Sequence, residues 1–341
     1  MTQVWLLVET LGDQPVVVAQ GQEMKDFVPV PKFLRRDPNL AAIQNAISET
    51  VANGTGLASI TPKTRHVIRT EPVVMTDGRT HAIHVWSGPA DVEPPERPIP
   101  GPFKWDLTAG VVTDSVEALT NAGMDPATEQ TQGRVFSDDM PHREFNRDEA
   151  KVLALIIDPQ PDRAVCAQWD LTDDLGNVRR LGFVLRTALE VAEDGGEHVV
   201  LRGTNLAGDS DDSIEPFGGV TQRVLNALSQ PGEHRALFDF HSRRILKWFD
   251  DPCPYFHWRS GLTPHPEDPL LDEATVDELA NGAVCRVLRL PGSDGEWIPL
   301  HLTLSRVKID RGIYGGLVTV RLPSARELAE AGLEPPAAAG D

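Results

Sequence analysis

The most chemically equipped stretch of this sequence runs from Trp248 to Trp258 and reads Trp-Phe-Asp-Asp-Pro-Cys-Pro-Tyr-Phe-His-Trp, in a chain that is only 6% aromatic. Trp248, Tyr255, Phe256, His257 and Trp258 are the candidate ligand or partner residues, because flat rings with a polar tip can line a pocket or a docking face. The competing reading makes them core at one end of a sheet, the usual fate of Trp and Phe. Cys253, His257 and His265 are metal-ligand types, but their spacing is loose and no fourth ligand accompanies them, so no metal is expected. Asp209, Asp211, Asp212 and Glu215 lack the spacing and central glycine of an EF-hand and read as a solvated loop. Asp138-Asp139 with His142 has acid–base types, yet adjacent acids in a polar stretch usually face water. Arg243-Arg244 reads as a turn between strands before it reads as an anion site. No catalytic residue and no cofactor is assigned.

Wider patterns narrow the chemistry further. The sequence has no Gly-rich loop ending in Lys-Ser or Lys-Thr, no G-x-S-x-G, no H-E-x-x-H and no G-x-G-x-x-G after a strand, which removes support for common nucleotide, hydrolase and zinc-protease sites. A net charge of −19 argues against a broad nucleic-acid surface, which needs clustered Lys and Arg. Cys166, Cys253 and Cys285 are odd in number and far apart, as suits a reducing cytoplasm. The N-terminus lacks a basic n-region and its apolar run is too short for a signal or membrane segment, so neither export nor membrane insertion is expected.

The elements that must position these residues recur. Val4 to Thr10 and Val16 to Ala19 predict a hairpin whose continuous apolar runs imply burial on both faces. Leu40, Ile43, Ile47 and Val51 predict a helix begun near Asp37 or Asn39 and ended by Asn53-Gly54. Arg65 to Met75 and Arg79 to Trp86 flank a tight Asp77-Gly78 turn. The run from Gly88 to Pro102 is proline-rich and predicts neither helix nor strand. Phe103 to Leu107 and Val111-Val112 then repeat the hairpin, Val116 and Leu119 mark a short helix ended by Gly123, and Glu149 to Ile157 fits either helix or strand. Val165 to Asp170, Val178 to Thr187 and Val199 to Arg202 follow as strands, with a turn at 173–177. Gly203 to Gly219 reads as a loop. A helix from Thr221 to Ser229 is expected to bury Val224, Leu225 and Leu228.

The device appears a third time in Ala236 to Phe240, the turn at His241 to Arg244, and Ile245 to Phe249. A short helix at Val276 and Leu279 precedes the meander Val284 to Leu322, and Ser324 with Glu327 forms a capping-box pattern before a disordered tail from Pro335. Hairpin, helix and meander thus recur at intervals of roughly 100 to 130 residues. The expected fold is α+β, with three tandem modules, each an antiparallel sheet flanked by helices. The boundaries are 1–88, a proline-rich linker 89–102, 103–203, an acidic loop 204–219, 220–323, and a short helix and tail 324–341.

Trp105-Asp-Leu-Thr-Ala-Gly-Val-Val112 and Phe238-Asp-Phe-His-Ser-Arg-Arg-Ile-Leu-Lys-Trp248 resemble the first two strands of PAS modules, and Val178-Arg-Arg-Leu-Gly182 and Gly295-Glu-Trp-Ile298 resemble the late hairpin. With the first module and the proline-rich joint, residues 1 to 323 are similar to an actinobacterial family of tandem PAS-GAF-PAS sensor proteins that carry no output domain, the middle module being either GAF- or PAS-like. The resemblance implies signal sensing or partner binding and supplies no ligand residue. The expectation is a cytoplasmic, non-enzymatic sensor or scaffold acting through a protein partner, with self-association compatible. Alternatives are a small-molecule-binding protein with a pocket in the C-terminal module, and an enzyme of unrecognised class.

Overall fold

A computed structural model describes residues 4–140, 145–172, 178–192, 195–208, 219–268 and 278–333. His142, the turn at 173–177, the acidic residues 209–215, Val276 and the tail from Pro335 lie outside them. Among the described residues the fold is α+β, with three antiparallel sheets and few helices. Two compact units result. The first holds the first two sheets, and the second holds the third sheet together with residues 135–145 and 156–158.

The first sheet is built from β1 (Leu6–Glu9), β2 (Val16–Gln20), β3 (Glu23–Pro29), β4 (Leu57–Ile60), β5 (His66–Val74) and β6 (Thr80–Pro89), in the order β3-β2-β1-β6-β5-β4. α1 (Val30–Phe33) and α2 (Leu40–Asn53) follow β3. The continuous apolar runs of β1 and β2 are explained by burial on both faces. Leu6, Val8 and Val17 pack with Ile43 and Ile47 of α2, whereas Leu7, Val16 and Val18 pack with Val184 and Leu206 of the second sheet. Gly54 ends α2 in the left-handed region at φ 66°, its N–H on the Thr50 carbonyl. The buried stripe of α2 is Ile43, Ala46, Ile47 and Thr50, while the expected Val51 is exposed. Thr50 is drawn inward by a hydroxyl pair with Thr70 at 2.5 Å.

The second sheet runs β10-β11-β12-β7-β8-β9, from β7 (Gly101–Asp106), β8 (Val111–Asp114), β9 (Gln132–Arg134), β10 (Ala164–Thr172), β11 (Val178–Val191) and β12 (Glu197–Ala207). α3 (Val116–Asn121), α4 (Phe136–Asp139) and α5 (Glu149–Ile157) lie between β8 and β10 in sequence, so the ambiguous Glu149 to Ile157 stretch is helical. β12 corrects the expected loop after Arg202, since Gly203, Thr204 and Asn205 pair with both β11 and β7. Turn-type residues sit there for packing reasons. A Cβ on Gly203 would lie 2.4 Å from the Phe103 ring, and Asn205 bonds Asn121 and the Ala118 carbonyl of α3.

The third sheet, β14-β13-β17-β16-β15, comprises β13 (His234–Phe238), β14 (Ile245–Trp248), β15 (Val284–Pro291), β16 (Trp297–Asp310) and β17 (Ile313–Arg321). α6 (Gly219–Ala227) precedes it and α7 (Ala325–Ala331) follows. Leu300, Leu302 and Leu304 alternate inward and join Phe238, Trp248, Leu288 and Val318 in one core. Val224 and Leu228, expected to be buried, are instead exposed. The Ser324 capping box on α7 is formed in both directions.

Candidate functional site

The aromatic stretch folds into the core of the second unit. Trp248, Phe256 and Trp258 are buried and the two indoles meet edge to face at 5.8 Å. Tyr255 is half-buried with its ring against His234, and His257 is exposed. The structure brings Trp248, Phe256 and Trp258 together as a packed wall with Cys253 and Leu262. Arg259 stacks on Trp258 at 4.3 Å and pairs with Asp138 at 3.1 Å, so Asp138 serves this wall and is not simply a water-facing acid. Burial pushes the Cys253 thiol up to about 11, and the backbone N–H groups of Tyr255 and Phe256 that oppose this leave it a neutral core group. His265 packs edge-on against Trp297. Among the described residues no three His, Cys, Asp or Glu side chains converge on a metal position.

The densest polar constellation was missed by spacing arguments. It lies in the first unit, where the turn before β6 meets β11 and β12. Arg202, 4% exposed, donates to Glu190 through Nε at 2.5 Å and Nη2 at 2.8 Å, to Asp77 at 2.6 Å and to His81 Nε2 at 3.0 Å. His81 Nδ1 donates to the Gly203 carbonyl at 2.8 Å, which fixes the tautomer. Burial alone would push Asp77 and Glu190 up, but the Arg202 guanidinium outweighs it and holds both below the usual carboxylate range. Burial, reinforced by Arg202, depresses His81 to about 4. A second tie joins Arg186 to Glu9 through both carboxylate oxygens. Asp77 is visible in sequence only as a turn residue. Its partner Arg202 lies 125 positions away, a separation at which no motif survives.

An open groove of about 470 Å³ lies on the N-terminal module, lined by Val4, Trp5, the Gly21-Gln22 turn and Pro95 to Ile99. Trp5 is 6% exposed and its indole N–H donates to the Pro95 carbonyl at 2.9 Å. Behind it stands His84, its ring 5.8 Å from Trp5, buried, with neither nitrogen hydrogen-bonded among the described residues. Burial, helped by Arg97, depresses His84 to about 3. The neighbouring Trp86 indole N–H is likewise buried without a partner. The proline run was legible as a joint, although its ends are strand, Gly88-Pro89 in β6 and Gly101-Pro102 in β7, and Trp5, expected within the first strand, precedes β1; their pairing was not legible.

Among the described residues no helix is long and apolar enough to cross a membrane. Comparison with curated proteins gives no match. Three family models cover most of the sequence: Rv3651-like, N-terminal, over residues 4–96, Rv3651-like, middle domain, over 99–208, and Rv3651-like, C-terminal domain, over 219–331. The chain is 49% identical to an uncharacterised protein from Mycobacterium tuberculosis known from a crystal structure, covering 98% of this chain and 100% of that one at a TM-score of 0.85. A sensory box histidine kinase/response regulator from Burkholderia thailandensis E264 (15% identity, 38% of this chain, 84% of that one, TM-score 0.24) and an RNA-binding light-oxygen-voltage receptor (11%, 69%, 96%, TM-score 0.24) are too distant to bear on fold or function. Matched module by module and nearly end to end, this chain belongs to the three-domain Rv3651-like family.

Proposed function

We propose that the protein works by binding and not by catalysis, as a sensor or scaffold of PAS- and GAF-like modules whose output passes through a protein partner. One observation carries this reading. In the second and third sheets the first strand of the early hairpin lies beside the last strand of the meander, β7 on β12 and β13 on β17, the hairpin and meander combination of the PAS resemblance. The residues with the strongest polar contacts support it too, because Arg202 through Asp77 and His81, and Arg186 through Glu9, tie the first two sheets together.

The test is the intact mass of the protein isolated from its own cells, under native and then denaturing conditions. Retention of a second polypeptide that departs on denaturation is the expected result. A bound species of a few hundred daltons would transfer the reading to small-molecule binding. A bare chain, with in-cell crosslinking that yields no discrete adduct, would overturn the partner reading.

A further inference from the structure

The segment joining the first two sheets has a conformation set by its sequence. From Glu93 to Pro100 it reads Glu-Pro-Pro-Glu-Arg-Pro-Ile-Pro, and every residue except Glu96 is a proline or precedes one. Proline fixes φ near −65° and pushes the preceding residue out of the helical region, so the run is held close to polyproline II. Residues 93–100 accordingly form neither helix nor strand. Pro95 and Pro98 stand three apart, one turn of such a helix, and both line the groove beside Trp5.

The contact between them is the one by which aromatic grooves read polyproline. An indole N–H donates to a proline carbonyl, here Trp5 to Pro95, and the carbonyl is free to accept because a polyproline helix makes no internal hydrogen bonds. The strap covers Trp5 without filling the groove, which the Gly21-Gln22 turn also lines. The strap is only partly sunk, since Glu93, Pro95, Glu96, Arg97 and Ile99 are exposed, Pro94 and Pro98 half-buried and Pro100 alone buried. Its side-chain ties among the described residues are light: Trp5 to Pro95, Asn121 to the Ile99 carbonyl at 2.9 Å, and an exposed Arg69–Glu93 pair at 3.5 Å.

We infer that the Trp5 groove is a polyproline-reading site whose resident ligand is the chain's own Pro95-Glu-Arg-Pro98, and that a P-x-x-P segment of a partner protein exchanges with it. The inference rests on the partner-binding reading and names the chemistry of the partner. The tethered strap competes at an effective concentration on the order of millimolar, so an external segment binds weakly until the strap is loosened.

The probe is the peptide Val-Glu-Pro-Pro-Glu-Arg-Pro-Ile-Pro, residues 92–100, titrated into the full chain while the Trp5 indole N–H resonance is followed. In a Pro94→Ala/Pro95→Ala variant, which keeps Trp5 and loosens the tethered competitor, half-saturation is expected at about tenfold lower peptide than in the parent chain. The same peptide with alanine for each proline is expected to leave the resonance unmoved. A fluorescently labelled copy of the peptide is expected to lose binding to a variant that also carries Trp5→Phe, which keeps a ring and removes the donor. Circular dichroism of each variant establishes that it is folded. No shift in the loosened variant up to several times the effective concentration, an equal shift by the alanine peptide, or undiminished binding after Trp5→Phe would each overturn the proposal. If these arms fail while native mass still finds a bound polypeptide, the groove assignment falls and the partner reading stands.

Discussion

Arg202 has three side-chain partners and almost no water, so its removal leaves the Glu190 carboxylate half-buried without its main partner and strips His81 of a donor. Arg202→Ala is expected to lower stability by about 3–5 kcal/mol in urea unfolding. Arg326→Ala breaks the exposed pair with Glu330 and is expected to change stability by less than about 0.5 kcal/mol. Equal effects would show that Arg202 is held by packing and not by charge. Gly316 offers a steric counterpart. A Cβ there would sit 2.1 Å from the Phe238 ring, and Gly316→Ala is expected to cost about 1–3 kcal/mol, partly recovered when Phe238→Leu is added.

Elements with local causes were legible in sequence, and elements with distant causes were not. The helix ended by Gly54, the Asp77-Gly78 hairpin and the third meander each depend on turn chemistry or alternation within a dozen residues, and all three appear. β3, the last part of β12 and the outward turn of Val224 and Leu228 depend on which surface the fold brings alongside. The site divides in the same way. The aromatic stretch stood out by composition and proves to be a packed wall, whereas Trp5 and Arg202 meet their partners 90 and 125 residues away. A local element also gives a local prediction. Ser324→Ala removes half of the capping box on α7 at a cost of about 1 kcal/mol, so hydrogen exchange at Leu328 to Ala331 is expected to rise about fivefold while exchange in β16 stays unchanged.

At the scale of the whole molecule, two buried histidines on β6 couple stability to pH. His81 and His84 lie at about 4 and about 3 in the folded chain, below the ordinary value of 6.5. The unfolded chain therefore binds more protons across that interval, and stability is full above about pH 6.5 and falls as pH drops through it. Each histidine contributes a slope approaching about 1.4 kcal/mol per pH unit in urea unfolding below pH 6. Asp77 and Glu190, held low by Arg202, add a loss of the same sign in more acid solution. His84→Phe removes a ring that has no hydrogen-bond partner among the described residues and is expected to reduce the slope, whereas an unchanged slope would show that His84 is not the proton acceptor.

The two compact units are interlaced along the chain, because residues 135–145 and 156–158 belong with the third sheet although they come between β9 and β10. Val135 packs on the core of that sheet, and Asp138 braces Arg259 over Trp258. On the ribosome, the C-terminal unit must wait with one piece of its wall made roughly a hundred residues ahead of the rest. A fragment cut to the C-terminal family boundary, 219–331, leaves that piece behind, taking Val135 from the core and the Asp138 carboxylate from Arg259.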